Sequence, residues 1–109
     1  MSKLPVHSRP VAYDFSCLPD DHPGRHHFTI RIEYRGKHGW AVVNPSGYVL
    51  DRFGRWDFEP QNSSRTDEWL SDNRWTFVEA VERAEYWAPL LHVAGKTVED
   101  ALAPGGWHG

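Results

Sequence analysis

Between Phe28 and Tyr34 apolar and polar residues alternate, with Phe28, Ile30, Ile32 and Tyr34 set against Thr29, Arg31 and Glu33. This period-2 pattern predicts a strand with one buried and one wet face. Arg35-Gly36-Lys37-His38-Gly39 interrupts it with two glycines, and Trp40-Ala41-Val42-Val43 resumes with residue types that suit a pleated surface, so the pair reads as a hairpin. Asn44-Pro45-Ser46-Gly47 fits a type I turn, which returns the chain as a third strand over residues 48–52. Gly54 ends that strand. Trp56 and Phe58, two residues apart, point the same way from an extended segment that Pro60 stops.

After Pro60 the period changes. Ser64 with Asp67 suggests a cap for a short helix over residues 65–71, and Thr76 with Glu79 is a clearer capping box. Phe77, Ala80, Val81, Ala84 and Ala88 then recur at helical spacing, which predicts the main helix over 77–88. The apolar run over residues 90–93 is a candidate fourth strand, and Thr97 with Asp100 marks another short helix that Pro104 ends. The fold class that follows is α+β: a three- or four-stranded antiparallel meander over 27–58, with or without 90–93, and helix 77–88 packed on one face. The expected core is Phe28, Ile30, Ile32, Trp40, Val42, Leu50, Trp56, Phe58, Trp69, Phe77, Val81, Ala84, Leu91, Val93, Val98 and Leu102. Residues 1–26 form an extended, Pro-rich arm in which residues 11–15 could make an edge strand. Residues 27–103 form the domain, and 104–109 a tail that is ordered only if Trp107 finds a pocket.

A chain of 109 residues can bury a core without staples, and its single cysteine, Cys17, cannot pair within the chain. No apolar run reaches the length of a signal h-region or membrane span, which gives a cytoplasmic reading. The formal charge of −3 is divided: residues 1–55 hold eight Lys/Arg against five Asp/Glu, and residues 56–109 hold four against ten. A basic strand half therefore accompanies an acidic helical half, which matters for docking on a charged partner.

The candidate chemistry is sparse. His22, His26 and His27, beside Asp20 and Asp21, are the one cluster of metal-ligating types, but Pro23-Gly24 interrupts it and no zinc-like spacing is present. No residue pattern calls for a cofactor. Cys17 and Ser63-Ser64 lie in no nucleophile elbow, and Gly36-Lys37-His38-Gly39 is a hairpin turn, not a phosphate cradle. The chain is therefore read as non-enzymatic, although an acid/base site assembled in space leaves no sequence spacing. Two charged rows remain as partner-binding candidates: a basic stripe of Arg31, Arg35, Lys37, His38, Arg52 and Arg55, and an acidic helix row of Glu79, Glu82 and Glu85.

Arginine outnumbers lysine nine to three and isoleucine occurs only twice, a bias expected of a G+C-rich genome. With that bias, Gly39-Trp40-Ala41-Val42-Val43, the run from Asp51-Arg52-Phe53-Gly54-Arg55-Trp56 to Pro60, and Ser63-Ser64-Arg65-Thr66-Asp67-Glu68-Trp69-Leu70 resemble small proteins of actinobacteria and especially of their bacteriophages. The resemblance covers about residues 27–103 and carries no functional residue. It implies a context in which small proteins act by binding a macromolecule. The leading expectation is thus a protein-binding protein, with homodimerisation through the sheet edge as one form of it. The second is a nucleic-acid-binding domain that sets the basic sheet face against phosphates, against which the net acidic charge counts.

Overall fold

The computed structural model describes residues 4–107. Its centre is a five-stranded antiparallel meander of β1 (Ala12–Phe15), β2 (Ile30–Tyr34), β3 (Trp40–Val43), β4 (Val49–Leu50) and β5 (Trp56–Asp57), in that spatial order. Helix α1 (Asp67–Asn73) leads into α2 (Phe77–Trp87), and a two-stranded ribbon of β6 (His92–Val93) and β7 (Lys96–Thr97) precedes α3 (Val98–Leu102). This is the expected α+β class with more strands than expected. The segment over residues 11–15 joins as β1, with Tyr13 opposite Ile32 and Phe15 opposite Ile30.

The other departures have local causes. Strand β2 starts at Ile30 because Arg25–Phe28 closes a 3-10 turn that drops Phe28 into the interior. The third expected strand shortens to β4 because Asp51 Oδ1 accepts from the N–H groups of Phe53 and Arg55, which winds residues 51–55 into a tight loop and sends the chain back as β5. Residues 90–93 do not join the main sheet. Ala88–Leu90 is a 3-10 turn, and His92 pairs instead with Thr97 across Ala94-Gly95, whose φ values of 50° and 79° are the two positive values a type I′ hairpin needs. Ser64 does not cap α1, since Asn62–Ser64 is itself a 3-10 turn; Thr66 does so by accepting from Trp69 N–H. The capping boxes of Thr76 with Glu79 and Thr97 with Asp100 both form as read.

Period 2 places Ile30, Ile32, Tyr34, Trp40, Val42 and Leu50 on one face of the sheet, and α2 lies across β2 and β3 on that face. Ala80, Ala84 and Ala88 line its inner side and are buried with Ile30, Ile32, Val42 and Leu50. Trp75 completes this cluster: its backbone makes an isolated bridge to Trp40 and its indole N–H donates to Leu50 O at 3.3 Å. Gly39 permits that bridge, because a Cβ there would meet Trp75 O at 2.5 Å. A second cluster of Leu18, Phe28, Val98 and Ala101 lies under α3, and Trp107 closes it, edge-on to Phe28 at 5.6 Å. Gly24 makes room for that indole, with an added Cβ falling 2.7 Å from it.

Among the expected core residues, Trp40, Trp56, Trp69, Val81, Leu91 and Val93 are only partly buried, and Trp69 lies outside both clusters. Phe58, Phe77 and Leu102 are exposed. Phe58 continues the face of Trp56 past the end of the paired strand and meets Tyr48 at 4.7 Å, while 71% of its own surface stays open. Phe77 overhangs the sheet from the first turn of α2, and Leu102 ends α3. Ala84 is fully buried in the cluster between α2 and the sheet, so Ala84→Leu should cost about 1–3 kcal/mol by overpacking. Urea unfolding of the variant checks this; an unchanged midpoint would mean that α2 does not sit on the sheet as described.

Candidate protein-interaction surface

Where α2 begins, the apolar face of the sheet comes to the surface. Tyr34 and Trp40 pair across β2 and β3 with ring centroids 5.5 Å apart. Trp40 lies 5.1 Å from Phe77, and Phe77 5.5 Å from Tyr13 on the edge strand β1. Tyr13 and Phe77 are more than a third exposed, so the four rings form a half-open patch built from three strands and a helix end. The Arg9 guanidinium covers Tyr34 at 4.4 Å and ties the preceding arm to this patch. Rigid aromatic surface of this kind binds at low entropic cost, since few torsions remain to be fixed.

Beside the patch runs a free strand edge. Tyr34 N–H donates to Val11 O, and the alternation of an antiparallel ladder then turns the polar backbone groups of Val11, Tyr13 and Phe15 toward β2. Those of Ala12 and Asp14 face outward, where no strand lies among the described residues. An added strand would find N–H and C=O groups at both positions, with Tyr13 projecting toward the aromatic patch.

The basic stripe read from the sequence is largely occupied by carboxylates. Arg31 faces Asp14 at 3.7 Å and Glu33 at 3.5 Å, Arg52 faces Asp72 at 3.0 Å, and Arg55 faces Asp51 at 2.9 Å. Arg52 and Arg55 also flank the exposed ring of Phe53, at 4.9 and 5.1 Å. Lys37 and His38 stand exposed on the 3-10 turn Gly36–His38. Of the acidic row, Glu79 closes the capping box, and the backbone N–H of Thr76 holds its carboxyl below the usual range. Glu82 lines a groove with Phe53 and Tyr86, and Glu85 lines a separate hollow with Asp14 and Phe15 at the end of β1. The row is thus split between two places.

The histidines divide as well. His22 uses both ring nitrogens: Nδ1 accepts from Gly24 N–H at 2.9 Å, and Nε2 lies 2.9 Å from Ala101 O, where its proton is donated. That leaves it no lone pair for a metal. The rings of His26 and His27 lie with centroids 3.9 Å apart and planes tilted by 41°, and His27 rests against Trp107. Among the described residues no group of three or more His, Cys, Asp or Glu side chains is arranged to hold a metal ion.

The strongest electrostatic feature carries no sequence signature. Glu59 receives Arg35 at 3.0 Å and Arg65 at 3.0 Å, and it accepts a short hydrogen bond from Arg74, whose side chain is only 3% exposed. Arg35 also reaches Glu33 at 2.8 Å, and Arg74 lies 5.0 Å over the Trp69 ring. Burial pushes the Glu59 carboxyl upward, but the hydrogen bonds and charges of Arg35 and Arg74 outweigh it and hold the group below its ordinary value. The hub joins the first hairpin to the residues around α1, segments that only the folded chain brings together. Glu59 therefore contributes stability that is present above the unfolded carboxylate value and is lost as pH falls through the lower folded value. Glu59→Gln should cost roughly 1–3 kcal/mol at neutral pH, between the exposed and the fully buried case. It should also flatten the loss of stability below about pH 4; urea midpoints across pH check both, and parallel pH profiles for the two proteins would show that the hub is not stabilising.

No family model, curated protein or solved structure matches this chain.

Proposed function

We propose that this protein is a non-catalytic protein-binding module that captures an extended segment of its partner along the free edge of β1, beside the Tyr13, Tyr34, Trp40 and Phe77 patch. The observation that carries the reading is the coincidence of the two features: outward backbone groups at Ala12 and Asp14, and half-exposed rings continuing from the same strand. Backbone pairing supplies affinity in such strand addition, and neighbouring side-chain surface supplies selectivity. The resemblance to small phage proteins agrees with a protein that acts by binding. Nucleic-acid binding has less support, because Arg31, Arg35, Arg52 and Arg55 each face a carboxylate that would have to be released.

Ala12→Pro tests the reading, since it removes an outward N–H while the bonds of Val11, Tyr13 and Phe15 to β2 remain. Peptides selected from a random display library on the wild-type protein should bind Ala12→Pro at least about tenfold more weakly, a loss of about 1.4 kcal/mol or more. Phe77→Ala should weaken them by a similar factor. A library that yields no binders, or binders indifferent to both substitutions at unchanged thermal stability, overturns the proposal.

A further inference from the structure

Residues 4–10, which precede β1, are exposed throughout and carry two apolar side chains, Leu4 at 86% exposure and Val6 at 93%. Such side chains on an extended arm gain nothing from their own chain and are suited to a surface elsewhere. At the opposite end of β1 lies a hollow of about 380 Å³ lined by Asp14, Phe15, Cys17, Glu85 and Ala88, with Arg25 at its side. Arg25 is already directed to Asp20 and to the Leu18 carbonyl.

We infer that the strand captured at β1 is β1 of a second copy of this chain, paired antiparallel about a two-fold axis through Tyr13, with each arm laid over the hollow of the other copy. This rests on the edge-binding reading and names its partner. The sequence of the edge selects the register. Outward groups at Ala12 and Asp14 can pair as Ala12 with Asp14, as Ala12 with itself, or as Asp14 with itself. The last sets two carboxylates opposite one another, and the second sets Asp14 against Pro10, which has no N–H to give. Pairing Ala12 with Asp14 separates the carboxylates and moves Pro10 out of the paired strands, to a position opposite Ser16 just past β1. It also brings the two Tyr13 residues together at the narrow, non-hydrogen-bonded position, where cross-strand aromatic pairs interact most closely.

The same register carries the arm past the far end of the partner strand. Pro10 then lies opposite Ser16 of the second copy, and Arg9 opposite Cys17, beside the hollow that contains Asp14 and Glu85. In this arrangement Arg9 exchanges its own Tyr34 for the hollow of the second copy, where Glu85 is the carboxylate not already faced by an arginine, and residues 1–13 hold no acidic residue to oppose the contact. Leu4 and Val6 continue along the loop beyond. Two paired strands of four residues fall well short of the about 1,200–2,000 Å² that a stable interface buries. The arms supply the missing apolar area.

Sedimentation equilibrium of the full chain should show a monomer–dimer equilibrium with Kd in the micromolar range. Ala12→Pro and the double variant Leu4→Ser/Val6→Ser should each raise that Kd at least about tenfold. The register is read by cross-linking in a Cys17→Ser background: Tyr13→Cys should give a disulfide-linked dimer under mild oxidation, because narrow antiparallel pairs place Cα atoms about 4.5 Å apart, within disulfide reach. Val78→Cys, exposed on α2, should not. A strict monomer at millimolar concentration overturns the inference, as does a dimer that is insensitive to Ala12→Pro or that links through Val78→Cys as readily as through Tyr13→Cys. A monomer whose selected peptides are still lost in Ala12→Pro removes the second copy and leaves edge binding standing; a chain with neither self-association nor such peptides removes both.

Discussion

The architecture turns on how closely α2 approaches the sheet. Ala80, Ala84 and Ala88 let the helix axis come down on β2 and β3, so that Ile30, Ile32, Val42 and Leu50 are fully covered by side chains of minimal size. A helix held this close shields only the middle of the face. Large residues frame its two ends: Tyr13, Trp40 and Phe77 gather at the N-terminal end, and Trp56, Tyr86 and Trp87 at the other. What small alanines cover in the centre, rings must frame at the edges.

The Glu59 hub secures the chain by different physics. One carboxylate facing three guanidiniums is electrostatically unbalanced, and Glu33 offsets part of the excess through Arg35. Burial of Arg74 lowers its pKa, and Glu59 counters this through a hydrogen bond and its charge. Because Arg35 follows β2, Glu59 follows β5, and Arg65 and Arg74 flank α1, the network fastens the sheet to the irregular segment between β5 and α2. Few apolar residues are available to hold that segment. Ionic and hydrogen-bonding contacts take their place, and the arginines of the expected basic stripe are drawn into them or into their own local pairs.

The edge of the sheet is treated differently from its centre. Proteins commonly blunt an exposed edge with charge, proline or a covering loop. Here Pro10 precedes β1 and Asp14 places a charge within it, two of these devices on one short strand.

The sequence by itself determined the elements whose signals are local. The two capping boxes and the helical spacing from Phe77 to Ala88 depend on contacts within a few residues and formed as read, while the alternation in residues 28–34 formed a strand only from Ile30 onward. It also indicated residues 11–15 as an edge strand and Trp107 as a residue in need of a pocket. Tertiary structure decided what depends on distant partners. Whether residues 90–93 enter the main sheet was settled by a two-residue turn that closes a hairpin with residues 96–97 first. Whether Phe58 and Phe77 are core or surface depends on how far α2 reaches. Which arginines are free depends on Glu59, Glu33, Asp51 and Asp72, acidic residues that carry no mark of their partners in the sequence. A side chain's neighbours along the chain fix its conformation, but its exposure and its charge partner are set by segments tens of residues away, and those meet only in the fold.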